Sequence, residues 1–396
     1  MPSIKFETEE RMSKIYTPKE MLAALVAFDT TSRNSNLELI EFVEDYLSSH
    51  GVESHRVPSP CGTKANLYAL VGPSIEGGVV LSGHTDVVPV DGQDWSTNPF
   101  QLFEKDRRLY GRGTCDMKGF DALALCAVPK AKAADLKRPL QIALSYDEET
   151  NMDGATRLVP EMVAALPPAD AVIVGEPSEM RVVTGHKGSM MMMTHVTGYE
   201  VHSSLVHEGV PAVMVAARLI GWLEAQMASN RANAPADSRY VPPYTTLHAG
   251  KIQGGTAQNI TAKECSFSTD IRTVPPESSE DWLSAWHAEC ARVEAEIQAI
   301  RPEAKIEVEL QGNLPGCDPQ QATTAEAICR QLTGDNGEHV VSYGTEAGLF
   351  QKGGYSTCIC GPGSIAQAHQ PDEFIEVAQL AAGEAFMDRL VARLAS

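Results

Sequence analysis

Apolar residues recur at two different periods along the chain, and the changes of period mark its elements. Pro18 to Phe28, Leu37 to His50 and Phe120 to Ala134 carry the three-to-four spacing of helices, and a further helix is predicted near Leu158 to Leu166. Short β-like runs lie between them, at Ala65 to Val71, Val79 to Ser82, Leu140 to Ser145 and Ala171 to Val174. Strand and helix alternate, which predicts an α/β domain with a central, mostly parallel sheet and flanking helices.

The middle of the chain changes style. Met190 to Val196 is strand-like, Pro211 to Met227 is a helix opened by proline, and Thr245 to Ile252 and Glu264 to Arg272 are strands. A helix over Glu280 to Ala299 follows, and Lys305 to Leu310 alternates charged and apolar residues like an edge strand. This βαββαβ order is the ferredoxin-like pattern. After Gly312 a helix near Thr323 to Leu332, a strand near Ser356 to Cys360 and a helix over Val377 to Leu394 restore the first style. The expected architecture is therefore an α/β domain, residues 1–184 and 312–396, interrupted by a smaller α+β domain at 185–311. Ser229 to Pro243, polar and proline-bearing, reads as a loop.

Composition adds exclusions. The net charge of −20 argues against a nucleic-acid or anionic-membrane partner. Nine scattered cysteines, an odd count, point to a reducing compartment without a disulfide framework, and Cys358 and Cys360 read as thiols of a buried strand. The opening segment MPSIKFETEERMSKI has no apolar core, so no signal sequence is predicted, and no apolar run is long enough to span a bilayer. A cytoplasmic location is the resulting expectation.

Acidic or imidazole groups follow several of the predicted strands. They are His84 and Asp86 in SGHTD, Asp116 in GRGTCDMKG, Glu148 and Glu149 in SYDEET, Glu176 in VGEPS and His369 in QAHQPDE. Open α/β sheets place their sites beyond the carboxyl ends of strands. Carboxylates gathered there raise one another's pKa unless a cation neutralises them. Zinc takes nitrogen and carboxylate oxygen as ligands, and two histidines with three carboxylates suit a two-metal centre with one bridging carboxylate. Spacing alone does not say which residue takes which part. Each residue also has a plainer reading: Asp116 as a helix cap, Glu148 and Glu149 as a solvated turn, either histidine as a loop residue. The conjunction is what favours a metal centre. The chain has no H-E-x-x-H helix of a single-zinc protease and no G-x-x-x-x-G-K-[ST] phosphate loop.

The stretches SGHTDVVPVDGQDW, LYGRGTCDMKGF, SYDEET and VGEPS resemble the di-zinc aminoacylase and carboxypeptidase superfamily. GHKGS, QGGTAQNI, YGTEAGLFQ and GPGSIAQAHQPDEF resemble its acetylornithine deacetylase branch, and the likeness runs in order from about residue 80 to 375. It departs where TNMDGA replaces the glycine-rich turn after SYDEE, and in the serine of GEPS. Neither change removes a ligand.

The resemblance implies that His84 and Glu176 hold one metal, that Glu149 and His369 hold the other, and that Asp116 bridges them. Glu148 would be the general base, and Asp86 would orient the His84 imidazole. The Asp116–Met117 peptide is expected to be cis. The middle domain would be a lid and a homodimer interface, with His202 steadying the tetrahedral oxyanion across the dimer; without the family, His202 is a strand-end histidine. Asn259 and Arg272 would bind substrate, the arginine fork suiting an α-carboxylate. Glu346 has two readings, a contact to a distal ammonium or a carboxylate capping a loop. The implied cofactors are two zinc ions, with cobalt as a substitute. The implied reaction releases acetate and ornithine from N2-acetyl-L-ornithine, a step of arginine biosynthesis. Alternatives are a succinyl-diaminopimelate desuccinylase, a broad aminoacylase, a dipeptidase, or an inactive binding protein on the same fold.

Overall fold

The computed structural model describes residues 14–320 and 323–396, so most of the N-terminal segment read above for a signal sequence lies outside the described residues. The chain divides into two compact units. The first comprises the described residues of Met1–Thr184, Gln320–His339 and Thr345–Ser396; the second comprises Gly185–Pro319 and Val340–Gly344.

The first unit is built on an eight-stranded sheet. Its strand order is Ser54–Pro58, Ala65–Val71, Leu140–Ser145, Val79–His84, Ala171–Pro177, Thr357–Gly361, Val183–His186 and His339–Val341. Four neighbours in the middle run parallel: Leu140–Ser145, Val79–His84, Ala171–Pro177 and Thr357–Gly361. Every residue of these four strands is buried, which is why their sequences read as continuous apolar runs rather than alternating ones.

Helix Lys118–Ala133 is buried on nearly all sides, since it packs on the sheet and against helices Pro18–Val26 and Val377–Leu394. Helix Pro18–Val26 starts with a complete capping box, in which Thr17 and Glu20 satisfy each other's backbone N–H groups. Helix Thr324–Thr333 begins at a Thr323 cap and ends on Gly334 at φ +79°. Helix Asp153–Ala165 starts five residues before the Leu158 read from the sequence and carries Pro160 in its interior.

The second unit holds a four-stranded antiparallel sheet in the order Thr246–Gly254, Glu264–Arg272, Ser189–Thr197, Lys305–Leu314. Helices Ala212–Ala232 and Ser279–Gln298 pack on it, around Met190, Met192, Phe267 and Trp286. Chain order and strand order together are those of the ferredoxin-like pattern. The Met190–Met193 run is strand, its even members buried and its odd members partly exposed.

Not legible in the pattern were the edge strand Ser54–Pro58, the small sheet of Phe103–Lys105, Arg108–Tyr110 and Phe374–Glu376, the short strands Val183–His186 and His339–Val341, and the short helix Ala347–Lys352. No disulfide joins cysteines among the described residues; Cys358 packs its sulfur 3.2 Å from that of Cys329 in the core. Among the described residues no helix is long and apolar enough to cross a membrane.

Candidate metal centre

The parallel strands bring several of the predicted site residues to one edge. His84 is the last residue of its strand and pairs in register with Ser145, so Glu148 and Glu149 follow just beyond the neighbouring strand end. On the other side Ser82 pairs with Val174, which sets Glu176 level with His84. Asp116 lies in the turn before helix Lys118–Ala133, and its peptide bond to Met117 is cis. His369 sits in the loop after Thr357–Gly361 at φ +64°.

The side chains converge. His84 Nε2 is 3.0 Å from Asp116 Oδ1 and 3.7 Å from Glu176 Oε1. His369 Nε2 is 3.2 Å from Asp116 Oδ2 and 2.9 Å from Glu149 Oε2. The two oxygens of Asp116 thus face two different histidines, each histidine having a second carboxylate beside it. Ligand atoms of His84, Asp116 and Glu149 lie within 4.8 Å of one another, and so do those of His84, Glu148 and Glu176. Glu148 therefore reaches the same group of atoms as Glu176, and distance alone does not separate base from ligand.

The electrostatics are those of crowded acids. Burial, reinforced by facing carboxylates, pushes Glu148 and Glu176 well above the ordinary carboxyl range and Glu149 up to about 7. At Asp116 burial acts in the same direction, but hydrogen bonds from His369 and His84 outweigh it and hold the carboxyl low. Those bonds, to Asp116 and Glu149, raise His369 to about 10. A cluster of this kind takes up protons or a cation. The donor set, imidazole nitrogen and carboxylate oxygen around a shared carboxylate, fits divalent zinc-like ions.

Asp86 meets the His84 ring through its main chain. His84 Nδ1 lies 2.9 Å from the Asp86 backbone carbonyl, which accepts its N–H and turns Nε2 toward the acids; the carboxylate Oδ1 is 3.7 Å away. That carboxylate instead accepts the backbone N–H groups of Glu148 (3.1 Å) and Glu149 (3.3 Å) and the hydroxyl of Ser32 (2.7 Å). It holds the turn that carries both glutamates. Ser32 had no sequence signal, since its role exists only through a contact 54 residues away.

Glu346 is held by serines of two neighbouring strands. It is 1% exposed, its carboxylate accepts the hydroxyls of Ser82 (2.9 Å) and Ser145, and it makes no side-chain cap on helix Ala347–Lys352. In the second unit His202 and Asn259 are neighbours: Ser203 N–H donates to the Asn259 carbonyl (2.9 Å), and His202 bridges Ile260. His202 Nδ1 accepts the N–H of Ser204 and caps the short helix Ser203–Glu208. Arg272 is half-exposed and its guanidinium is engaged by Asp270, two residues back on the same strand.

A family model described as Peptidase family M20/M25/M40 matches residues 80–393. An acetylornithine deacetylase of Proteus mirabilis (strain HI4320) is 36% identical over 373 residues, covering 93% of this chain and 92% of its own. One from Pasteurella multocida (strain Pm70) is 34% identical over 371 residues, covering 92% and 94%. Among solved structures, a tripeptidase from Staphylococcus aureus superposes with a TM-score of 0.74 at 20% identity, over 97% of this chain and 99% of that one.

Proposed function

The chain belongs to peptidase family M20/M25/M40, a family of metal-dependent hydrolases, and from that premise we propose that it removes the acetyl group from N2-acetyl-L-ornithine. The observation that carries the hydrolytic reading is Asp116, whose two carboxylate oxygens face His84 and His369 separately. In this proposal His84 and Glu176 hold one zinc ion, Glu149 and His369 hold another, and Asp116 is common to both. Cobalt would substitute for zinc on the same donors. Bound there, the ions supply Lewis-acid polarisation of the amide carbonyl and acidification of water.

The protein's own groups do the rest. Glu148 is partly buried among acids that keep its proton affinity high, which suits a base that must later act as an acid. It accepts a proton from the attacking water as the water oxygen bonds to the acetyl carbon. It returns that proton to the ornithine nitrogen as the C–N bond breaks; the second proton of the water passes from the acid product to the freed amine, so acetate and an ammonium group leave. Asp86 fixes the backbone of Glu148 and Glu149 while this happens. His202, Asn259 and Arg272 of the second unit are assigned to the substrate in the same proposal, and the assembly is a homodimer in the cytoplasm acting in arginine biosynthesis.

The acetylornithine deacetylases of 36% and 34% identity support the choice of acyl group and amino acid. The test is a substrate panel on protein stripped of metal and reloaded with zinc or cobalt. N2-acetylornithine is expected to give the highest kcat/KM. A higher value for N-succinyl-diaminopimelate, N-acetylmethionine or a dipeptide would replace the substrate assignment; no hydrolysis of any of them would favour a binding protein. In Glu148→Gln turnover is expected to fall by roughly 10²–10⁴-fold, the usual contribution of a general acid–base group, with metal retained.

A further inference from the structure

Glu373 stands four residues after His369 and is 1% exposed, as is Arg112. Its carboxylate accepts four hydrogen bonds, all from the segment that carries Asp116. Oε2 accepts the Arg112 guanidinium (2.8 Å) and the Gly113 N–H (2.9 Å); Oε1 accepts the N–H groups of Cys115 (3.0 Å) and Asp116 itself (3.2 Å). The guanidinium of Arg112 donates onward to the Gln370 carbonyl (3.3 Å) and to the side-chain oxygen of Gln93 (2.6 Å), and lies 5.0 Å from the Trp95 ring. The Gln93 amide donates in turn to the His369 carbonyl (2.9 Å).

Three loops are therefore tied to one another, around residues 93, 112–116 and 369–373. The network ends on the backbone of Asp116 at one side and on the backbone of His369 at the other. A buried ion pair is a poor source of net stability, because desolvation cancels much of the attraction. What this one does supply is a fixed distance between two loops that are remote in sequence. We propose that Glu373 and Arg112 are a positioning pair that sets the separation of Asp116 and His369 for the metal centre. The inference rests on reading those two residues as metal ligands.

The test is Co(II) affinity of the full-length chain, measured by chelator competition at a temperature where the metal-free protein is folded. Glu373→Gln turns an amide NH₂ toward N–H donors that need acceptors. Its Co(II) affinity is expected to fall about 10–100-fold, the usual cost of losing a group that orients a ligand. Wild-type affinity in a folded Glu373→Gln protein overturns the proposal. If that variant does not fold, Gln93→Ala decides, since its side chain is only partly buried: several-fold weaker Co(II) binding supports the pair, and wild-type binding overturns it. Asp116→Asn separates the two levels of the argument. If it too binds Co(II) like the wild type, the ligand reading has failed; if it alone is impaired, only the positioning pair has.

Discussion

Replacing Asp86 with asparagine tests how the catalytic turn is held. The carboxylate is 2% exposed and receives three donors: Glu148 N–H, Glu149 N–H and the Ser32 hydroxyl. An asparagine keeps one acceptor oxygen for Glu148. Its NH₂ can donate to Ser32, whose hydroxyl also accepts, but it leaves the Glu149 N–H without a partner. One buried donor unsatisfied, together with the loss of a charged acceptor, costs about 1–3 kcal/mol. The kinetic effect is expected to be larger than the loss of stability suggests, because a displacement of ~1 Å in a reacting group costs about 10²-fold in rate. Initial rates on N2-acetylornithine at saturating zinc, with thermal melts alongside, check this. The expected result is kcat down about 10²-fold, KM changed much less, and a modestly lowered melting temperature. A kcat within about threefold of wild type would refute the idea that Asp86 places Glu148, since 1.4 kcal/mol already corresponds to a factor of ten.

Two further outcomes follow from buried groups away from that turn. Glu346→Gln is expected to lower stability by about 1 kcal/mol, through its bonds to Ser82 and Ser145, and to leave the ratio of acetylornithine to acetylmethionine hydrolysis unchanged; a shifted ratio would return the residue to the substrate. His186 is fully buried, and burial holds its pKa at about 4 against an ordinary 6.5, with donation to the Lys187 carbonyl (2.8 Å) acting the other way. Above pH 6.5 the ring is neutral folded or unfolded; from 6.5 down to 4 only the unfolded chain takes up the proton, so stability falls by on the order of 3 kcal/mol across that window. The acid limb of the melting curve between those pH values is expected to be shallower in His186→Gln, and an unchanged limb would refute the assignment.

The sequence showed most of what the sheet needed and little of what holds the loops. The parallel strands were legible because burial on both faces makes them apolar throughout, and the second unit because strands such as Ser189–Thr197 and Glu264–Arg272 alternate in burial while helices such as Ser279–Gln298 keep a helical spacing. Edge strand Ser54–Pro58 was not, since three of its five residues are exposed and carry no alternation. The acids and histidines of the metal centre were visible as residues after strand ends. Their supports were not: Ser32, Gln93, Arg112 and Glu373 act through contacts between loops far apart in the chain, which no local pattern encodes. Glu346 is similar: its place in the sequence left an ammonium contact and a loop cap both open, and its bonds to the hydroxyls of Ser82 and Ser145 come from strands remote in the chain.

The central claim is that Asp116 is shared by two cations, and anomalous diffraction from zinc-loaded crystals tests it directly. Two peaks are expected on opposite sides of Asp116, one contacted by His84 and Glu176 and the other by Glu149 and His369. A single peak, or zinc bound with the Asp116 carboxylate uncoordinated, would contradict the account.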